Sequence, residues 1–142
     1  MFDIIYRPGG MYTYPCKGDK ILGGMVATFT GNRQVAVCKP SQRPIGFFIQ
    51  DLIFDDPMLM YPENFKDNPV MIAVGQGEYK TDTFSKGTYK INDLLYCGEV
   101  GKVTNSPLFK GYPIVGIVNS VEKDKIGFIS VFSNLEAVKS SD

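Results

Sequence analysis

GMVATF at residues 24–29 and PIGFF at 44–48 are the most informative segments of the sequence, because a second version of the pair follows later in the chain. Residues 93–96 read DLLY and residues 113–117 read PIVGI, and both landmarks recur at a spacing of 69 positions. Each copy alternates short apolar runs with Gly and Pro, which is typical of short strands joined by tight turns. The segments at about 19–48 and 88–117 therefore predict two pseudo-repeated β units.

Length and composition indicate one folded domain. The chain has 142 residues, of which 44% are hydrophobic and 21% charged, and this balance is typical of a globular protein with its own core. The aromatic residues are 8 Tyr and 10 Phe without Trp, and 15 Gly and 9 Pro provide many turns. Such a composition favours strands over helices. We therefore expect an all-β protein, with a single small β-barrel or β-sandwich over residues 17–142.

Residues 1–16 are predicted to form an extended N-terminal arm. The Pro-Gly-Gly turn at 8–10 cannot continue a helix, and Tyr6, Tyr12 and Tyr14 surround it. Tyr is enriched in the cores of protein interfaces, so these three residues are candidate partner-binding residues. The sequence leaves open whether the arm packs on its own domain or on a neighbour. We expect a protein without residues 1–15 to remain soluble and folded but to lose its assembly.

Residues 51–68 are predicted to be an inserted loop, because their apolar side chains follow neither the period of a strand nor that of a helix. The second β unit has no equivalent of this insert. Methionine adapts to irregular surfaces, and aromatic residues are common in interface cores. The candidate partner-binding residues of the insert are Met58, Met60, Tyr61 and Phe65.

The chemistry-bearing residues argue against an enzyme. The chain has no His, which removes the usual acid–base group and the usual zinc ligand. Cys16, Cys38 and Cys97 are widely spaced and form no C-x-x-C pair, so no metal site and no cofactor are expected.

Net charge is zero, which argues against nucleic acid as a partner. No apolar run is long enough for a membrane span, and no secretory signal is evident, so synthesis in the cytoplasm is expected.

Five motifs together resemble the capsid decoration, or cement, proteins of tailed bacteriophages. They are KGD at 17–19 with GMV at 24–26, PIGF at 44–47, DLLY at 93–96, GKVT at 101–104 and PIVGIV at 113–118. The resemblance implies a β-barrel or β-tulip body on the capsid surface, with the major capsid protein as partner. It also implies a non-enzymatic virion structural protein that forms homo-oligomers, with a trimer favoured.

Three alternatives remain open at this point. A phage tail-tube or connector protein belongs to the same structural class, but it would form rings. A small glycan hydrolase would use paired carboxylates from Asp51, Asp55 or Asp56. A ligand-binding barrel would hold a small molecule in its interior.

Overall fold

The computed structural model of the protein describes residues 2–6, 8–16, 20–53, 68–106 and 113–131. All regular secondary structure within these ranges is β-strand, so the predicted all-β class with a small barrel is confirmed. The strands of these ranges are β1 (Phe2–Tyr6), β2 (Gly10–Cys16), β3 (Lys20–Ile21), β4 (Val26–Gly31), β5 (Gln34–Val37), β6 (Gly46–Phe48), β7 (Leu52–Ile53), β8 (Asn68–Val74), β9 (Glu78–Thr81), β10 (Leu94–Cys97), β11 (Val103–Thr104), β12 (Ile114–Val121) and β13 (Ile126–Ser130).

Five strands form a closed barrel in the order β2-β5-β4-β6-β8. β8 pairs antiparallel with β2 from Gly10↔Val74 to Cys16↔Asn68, and it also pairs with β6, which closes the barrel. A barrel of this size is filled by the side chains that point inward. The cluster of buried side chains that fills it is Cys16, Ile21, Met25, Ala27, Val35, Phe48, Val70 and Ile72.

Six strands form an antiparallel sheet beside the barrel, in the order β1-β9-β13-β12-β10-β11. Side chains alternate between the two faces of a strand, and β9 shows this clearly. Tyr79 and Thr81 are buried on the face that packs against the barrel, whereas Glu78 and Lys80 lie on the outer face and are partly exposed. The two-stranded ribbon β3–β7 completes the fold.

The barrel and the sheet share one core, and β6 lies at its centre. All three residues of β6 are buried. Phe48 belongs to the barrel cluster, while the adjacent Phe47 points to the sheet, as alternation along a strand requires. The Phe47 ring centroid lies 5.3 Å from Phe128 and 5.5 Å from Tyr79, distances at which tilted aromatic pairs attract each other. Aromatic packing across β6 therefore holds the two layers together.

The two sequence repeats have the same strand pairing, although they lie in different layers. β4 is flanked by β5 and β6 in the barrel, and β10 is flanked by β11 and β12 in the sheet. Val26 pairs with Phe47, and the residues 69 positions later, Leu95 and Gly116, also pair. A left-handed residue stands two positions before the middle strand in both units: Gly24 at φ 97° and Asn92 at φ 74°.

The N-terminal segment is part of the body, which settles the question that its sequence left open. β1 pairs with β9 and forms one edge of the sheet, and β2 lies between β5 and β8 in the barrel. Phe2 stacks on Tyr79 with ring centroids 4.8 Å apart. Because those residues supply an edge strand and a barrel strand, the structure leads us to expect instead that the body does not fold without residues 1–15.

The inserted loop is shorter than its sequence suggested. Leu52 and Ile53 form β7, which pairs with β3, and Asn68 begins β8. Positions 52 and 53 form a strand because their backbone pairs with β3, which is distant in sequence. Their side-chain pattern alone does not predict this strand. Residues 54–67 lie outside the described part of the chain.

Two buried tyrosines provide a matched test of the core. The Tyr79 hydroxyl approaches Ser130, whose hydroxyl already bonds Gly75 and Gly77, and among the described residues it has no hydrogen-bond partner. The Tyr89 hydroxyl, in contrast, donates to the Ser85 carbonyl at 2.5 Å. Burial raises the pKa of both hydroxyls, so both are neutral at pH 7.

Tyr79→Phe is expected to leave the free energy of unfolding unchanged or to raise it by up to about 1 kcal/mol, because an unsatisfied buried hydroxyl is removed. Tyr89→Phe is expected to lower it by about 1 kcal/mol, because a hydrogen bond is lost. Urea denaturation of both variants measures the difference. A larger loss for Tyr79→Phe than for Tyr89→Phe would mean that the Tyr79 hydroxyl has a partner.

Candidate interaction surface

The structure separates the tyrosines that the sequence grouped as one arm. Tyr6 lies on β1 at the edge of the six-stranded sheet and is 69% exposed. Tyr12 and Tyr14 lie on β2 of the barrel. The four candidates of the insert, Met58, Met60, Tyr61 and Phe65, lie outside the described residues, so their role stays a prediction.

Tyr12 and Tyr14 form an aromatic cluster with Phe29 and Arg33, which we call the aromatic rim. Tyr14 packs edge-on against Phe29, with centroids 5.2 Å apart and planes at 87°, and Tyr12 lies 6.2 Å from Tyr14. The Arg33 guanidinium lies over the Tyr14 ring, 5.7 Å from its centroid, within the range of a cation–π contact. Tyr14 also packs against the barrel core, so it anchors the cluster from below.

Strand pairing in the barrel explains why these four side chains meet. Cys16 of β2 pairs with Val35 of β5, and Val35 pairs with Phe29 of β4. The β4–β5 turn and the second half of β2 are thereby placed at the same end of the barrel. The rim therefore forms by closure of the barrel and not by proximity in sequence.

Arg33 occupies a backbone position that usually favours glycine. Its φ is 57°, in the left-handed region, at the turn of the β4–β5 hairpin, where the register shifts between Phe29 and Gly31. A non-glycine residue in this region costs about 1 kcal/mol or more, and such positions concentrate where a side chain has a function. The cation–π contact with Tyr14 offsets part of that cost.

The sequence did not identify Phe29 and Arg33 as interface residues. Phe29 reads as the last apolar residue of a buried strand, yet it is 47% exposed. Arg33 stands in a turn between two apolar runs and belongs to no recognised binding motif. The β4–β5 turn has Arg33 after Asn32, where Gly is usual. This was the one local signal in the sequence that could have indicated a functional residue at position 33.

Two exposed methionines lie on β2 and β8, and Met11 points to the face of β2 opposite to that of Tyr12 and Tyr14. Met11 on β2 and Met71 on β8 are 47% and 45% exposed. Met11 pairs with Ala73, and Thr13 pairs with Met71, so the two methionines are diagonal neighbours across the β2–β8 ladder. This methionine patch extends the apolar surface of the barrel.

Asp51, one of the carboxylates considered for glycan hydrolysis, has a structural contact in the fold. Asp51 accepts a hydrogen bond from the Gly23 amide at 2.7 Å and so holds the turn before β4. Asp55 and Asp56, the other carboxylates considered for glycan hydrolysis, lie outside the described residues. The described residues contain no group of three His, Cys, Asp or Glu side chains that could hold a metal ion.

The cysteines are buried thiols. Cys97 donates a hydrogen bond to the Cys38 carbonyl at 3.0 Å, which links the sheet to the barrel. The neighbouring Cys38 thiol and burial raise the pKa of Cys97 far above its usual value, so it stays protonated at neutral pH. A protonated buried thiol is a poor nucleophile and a poor metal ligand.

Comparison with known proteins gives no assignment: no protein-family model matches the chain, and no curated protein matches it. In the part of the chain that the structure describes, we find no helix with the length and apolar character needed to cross a membrane.

Proposed function

We propose that this chain is a non-enzymatic virion structural protein that decorates a capsid and stabilises contacts between major capsid subunits. The observation that carries the proposal is the aromatic rim. Tyr12 and Phe29 are 50% and 47% exposed, although each has a ring contact to Tyr14 that holds its position. Large apolar side chains that are exposed and ordered are characteristic of surfaces that become buried in a complex.

The composition of the rim fits a binding hot spot. Tyr and Arg are the residues most enriched where truncation costs binding energy, and Met and Phe are enriched in interface cores. Because the rings already contact one another, little side-chain entropy is lost when a partner covers them. The methionine patch on the opposite face of β2 supplies a second, adaptable apolar surface.

Repetition on a symmetric lattice would strengthen a contact of this size. The rim is a modest surface, and modest interfaces bind weakly in isolation. A homo-oligomer, with a trimer favoured, presents several copies at once, and the linked copies bind with much higher avidity. The mass of the purified protein tests this part of the proposal. A trimer supports decoration, whereas a hexameric ring or a tube would favour the tail alternative.

The double variant Tyr12→Ser/Phe29→Ser tests the role of the rim. We expect it to lower binding by about tenfold or more per residue, in line with a loss of 1–2 kcal/mol for each hot-spot side chain. The measurement is co-sedimentation with capsids assembled from the major capsid protein that the same genome encodes.

The matched control is Ile91→Ser/Val100→Ser. These side chains are 53% and 60% exposed but lie outside the rim, so their loss of apolar area is similar. Thermal melts confirm that both variants are folded. Equal binding by the rim variant and the wild type, or an equal loss in the control, would contradict the proposal.

A further inference from the structure

A groove with both polar and apolar lining lies on the outer face of the six-stranded sheet. It consists of two adjoining depressions of about 280 Å³ and 350 Å³, which share Glu78. Their size is at the lower end of the range for small-ligand sites. We call this feature the sheet groove. Its principal lining residues are Ile5, Tyr6, Gln76, Glu78, Asn119 and Ser120.

Two β-bulges shape the first depression from opposite sides. The register of β1 shifts between Ile4 and Tyr6, which leaves Ile5 as the extra residue. The register of β12 shifts between Val118 and Ser120, which leaves Asn119 as the extra residue. A bulge changes the direction of a side chain and is frequent beside binding sites. Both extra residues line the same depression, although two strands separate them.

The floor of the groove lies at Gly127 of β13. A Cβ atom at this position would contact the Ser120 hydroxyl and would lie 3.0 Å from Oδ1 of Asn119. Because Gly127 has no side chain, the Ser120 hydroxyl and the Asn119 amide have room to lie above β13. A larger residue at 127 would fill the depression.

Hydrogen-bonding groups of both kinds lie side by side in the groove. Asn119 donates to Oε1 of Glu78 at 2.8 Å, which leaves the second carboxylate oxygen of Glu78 as an acceptor that this bond does not use. Amide groups such as those of Asn119 and Gln76, and the hydroxyl of Ser120, can each donate and accept. Beside them lie the apolar side chain of Ile5 and the ring of Tyr6, which is 69% exposed.

Acidic groups outnumber Lys80 at the groove, because Glu122, Asp3 and Glu78 all lie close enough to raise the pKa of Lys80. Lys80 bonds Glu122 at 2.6 Å, and this contact raises the pKa of Lys80 and lowers the pKa of Glu122, so that both stay ionised at neutral pH. With the Lys80 charge paired and the Glu78 carboxylate in the groove, an anionic ligand meets no net attraction. This argues against phosphate groups and nucleic acid at this site.

We propose that the sheet groove binds a neutral oligosaccharide. A sugar ring carries neighbouring hydroxyl groups that both donate and accept hydrogen bonds, and it also has an apolar face of C–H groups. The amide, carboxylate and hydroxyl groups of the groove can form hydrogen bonds with the sugar hydroxyls. The Tyr6 ring and the Ile5 side chain can pack against the apolar face of the sugar. This site is separate from the aromatic rim and does not depend on the function proposed for it.

A glycan array tests the proposal. The labelled protein, cross-linked through a tag antibody to increase its avidity, is applied to neutral, sialylated and sulfated oligosaccharides. We expect binding that is confined to neutral structures. The strongest binder is then titrated into the labelled protein by NMR, and the amide signals of Glu78, Asn119 and Gly127 should shift.

Exposed positions provide variants that keep the fold. Asn119→Ala and Tyr6→Ala should each lower the affinity for that oligosaccharide by about tenfold or more. Gly127→Ala should lower it further, and its fold is checked by NMR. Val100→Ala is the matched surface control, and the rim variant Tyr12→Ser/Phe29→Ser should bind the sugar as the wild type does.

Three outcomes would overturn the proposal: no binding on the array, binding to anionic glycans only, or sugar binding that Asn119→Ala and Tyr6→Ala leave unchanged. If the amide NMR signals of the whole of β1 shift in protein that contains no sugar, another strand has paired with this edge of the sheet. That result would also contradict a saccharide site.

Discussion

A protein that lacks residues 1–15 is expected not to fold. The deletion removes β1 and all of β2 except Cys16. β2 makes a seven-residue ladder with β8, so its loss opens the barrel and exposes the barrel core to water. The deletion also removes Phe2, whose ring stacks on Tyr79 at the junction of the two layers. Single domains are stable by only about 5–15 kcal/mol, and the loss of two strands exceeds this margin.

A graded pair of deletions separates the two strands. Removal of residues 1–6 takes away an edge strand only, so we expect a folded protein with a lower urea midpoint. Removal of residues 1–15 should abolish the dispersed amide spectrum of a folded protein. A cooperative unfolding transition for the longer deletion would show that the barrel closes without β2, and it would restore the view of the segment as a detachable arm.

Phe47→Ala is expected to cause the largest loss of stability of any single substitution considered, about 3–5 kcal/mol, which is typical of removing a fully buried phenylalanine. The Phe47 ring is 0% exposed and contacts Phe2, Tyr79 and Phe128. Its removal leaves a cavity between the barrel and the sheet, where two rigid layers cannot collapse to fill it.

Phe29→Ala is the matched control, because it deletes the same ring from a site that is 47% exposed. Phe29→Ala should lower the free energy of unfolding by about 1.5 kcal/mol or less, since part of the Phe29 ring already contacts water in the folded protein. Urea denaturation of both variants gives the two values. Similar losses for Phe47→Ala and Phe29→Ala would mean that the barrel and the sheet are not joined through Phe47.

The rim and the sheet groove are distinct surfaces, and their variants can be examined independently. The rim belongs to the barrel, and its proposed partner is a protein. The groove lies on the outer face of the sheet, and its proposed ligand is a sugar. Tyr6, which the sequence grouped with Tyr12 and Tyr14, therefore belongs to a different test from those two residues.

Local sequence pattern was sufficient for the central strands of the repeat. Apolar runs bounded by Gly and Pro identified β4, β6, β10 and β12, because a strand between two packed layers needs a short continuous apolar run. The spacing of the repeat also agrees with the pairing of Val26 with Phe47 and of Leu95 with Gly116. These features depend on residues close together in the chain.

An all-β chain with two similar β units follows from the amino acids alone, because strand propensity and turn chemistry are local properties. The pairing of β1 and β2, and the meeting of Tyr14, Phe29 and Arg33 at one end of the barrel, become visible only in the folded protein. The same is true of the two bulges, at Ile5 and Asn119, that line one groove. Strand register and barrel closure depend on contacts between distant segments, which no local pattern specifies.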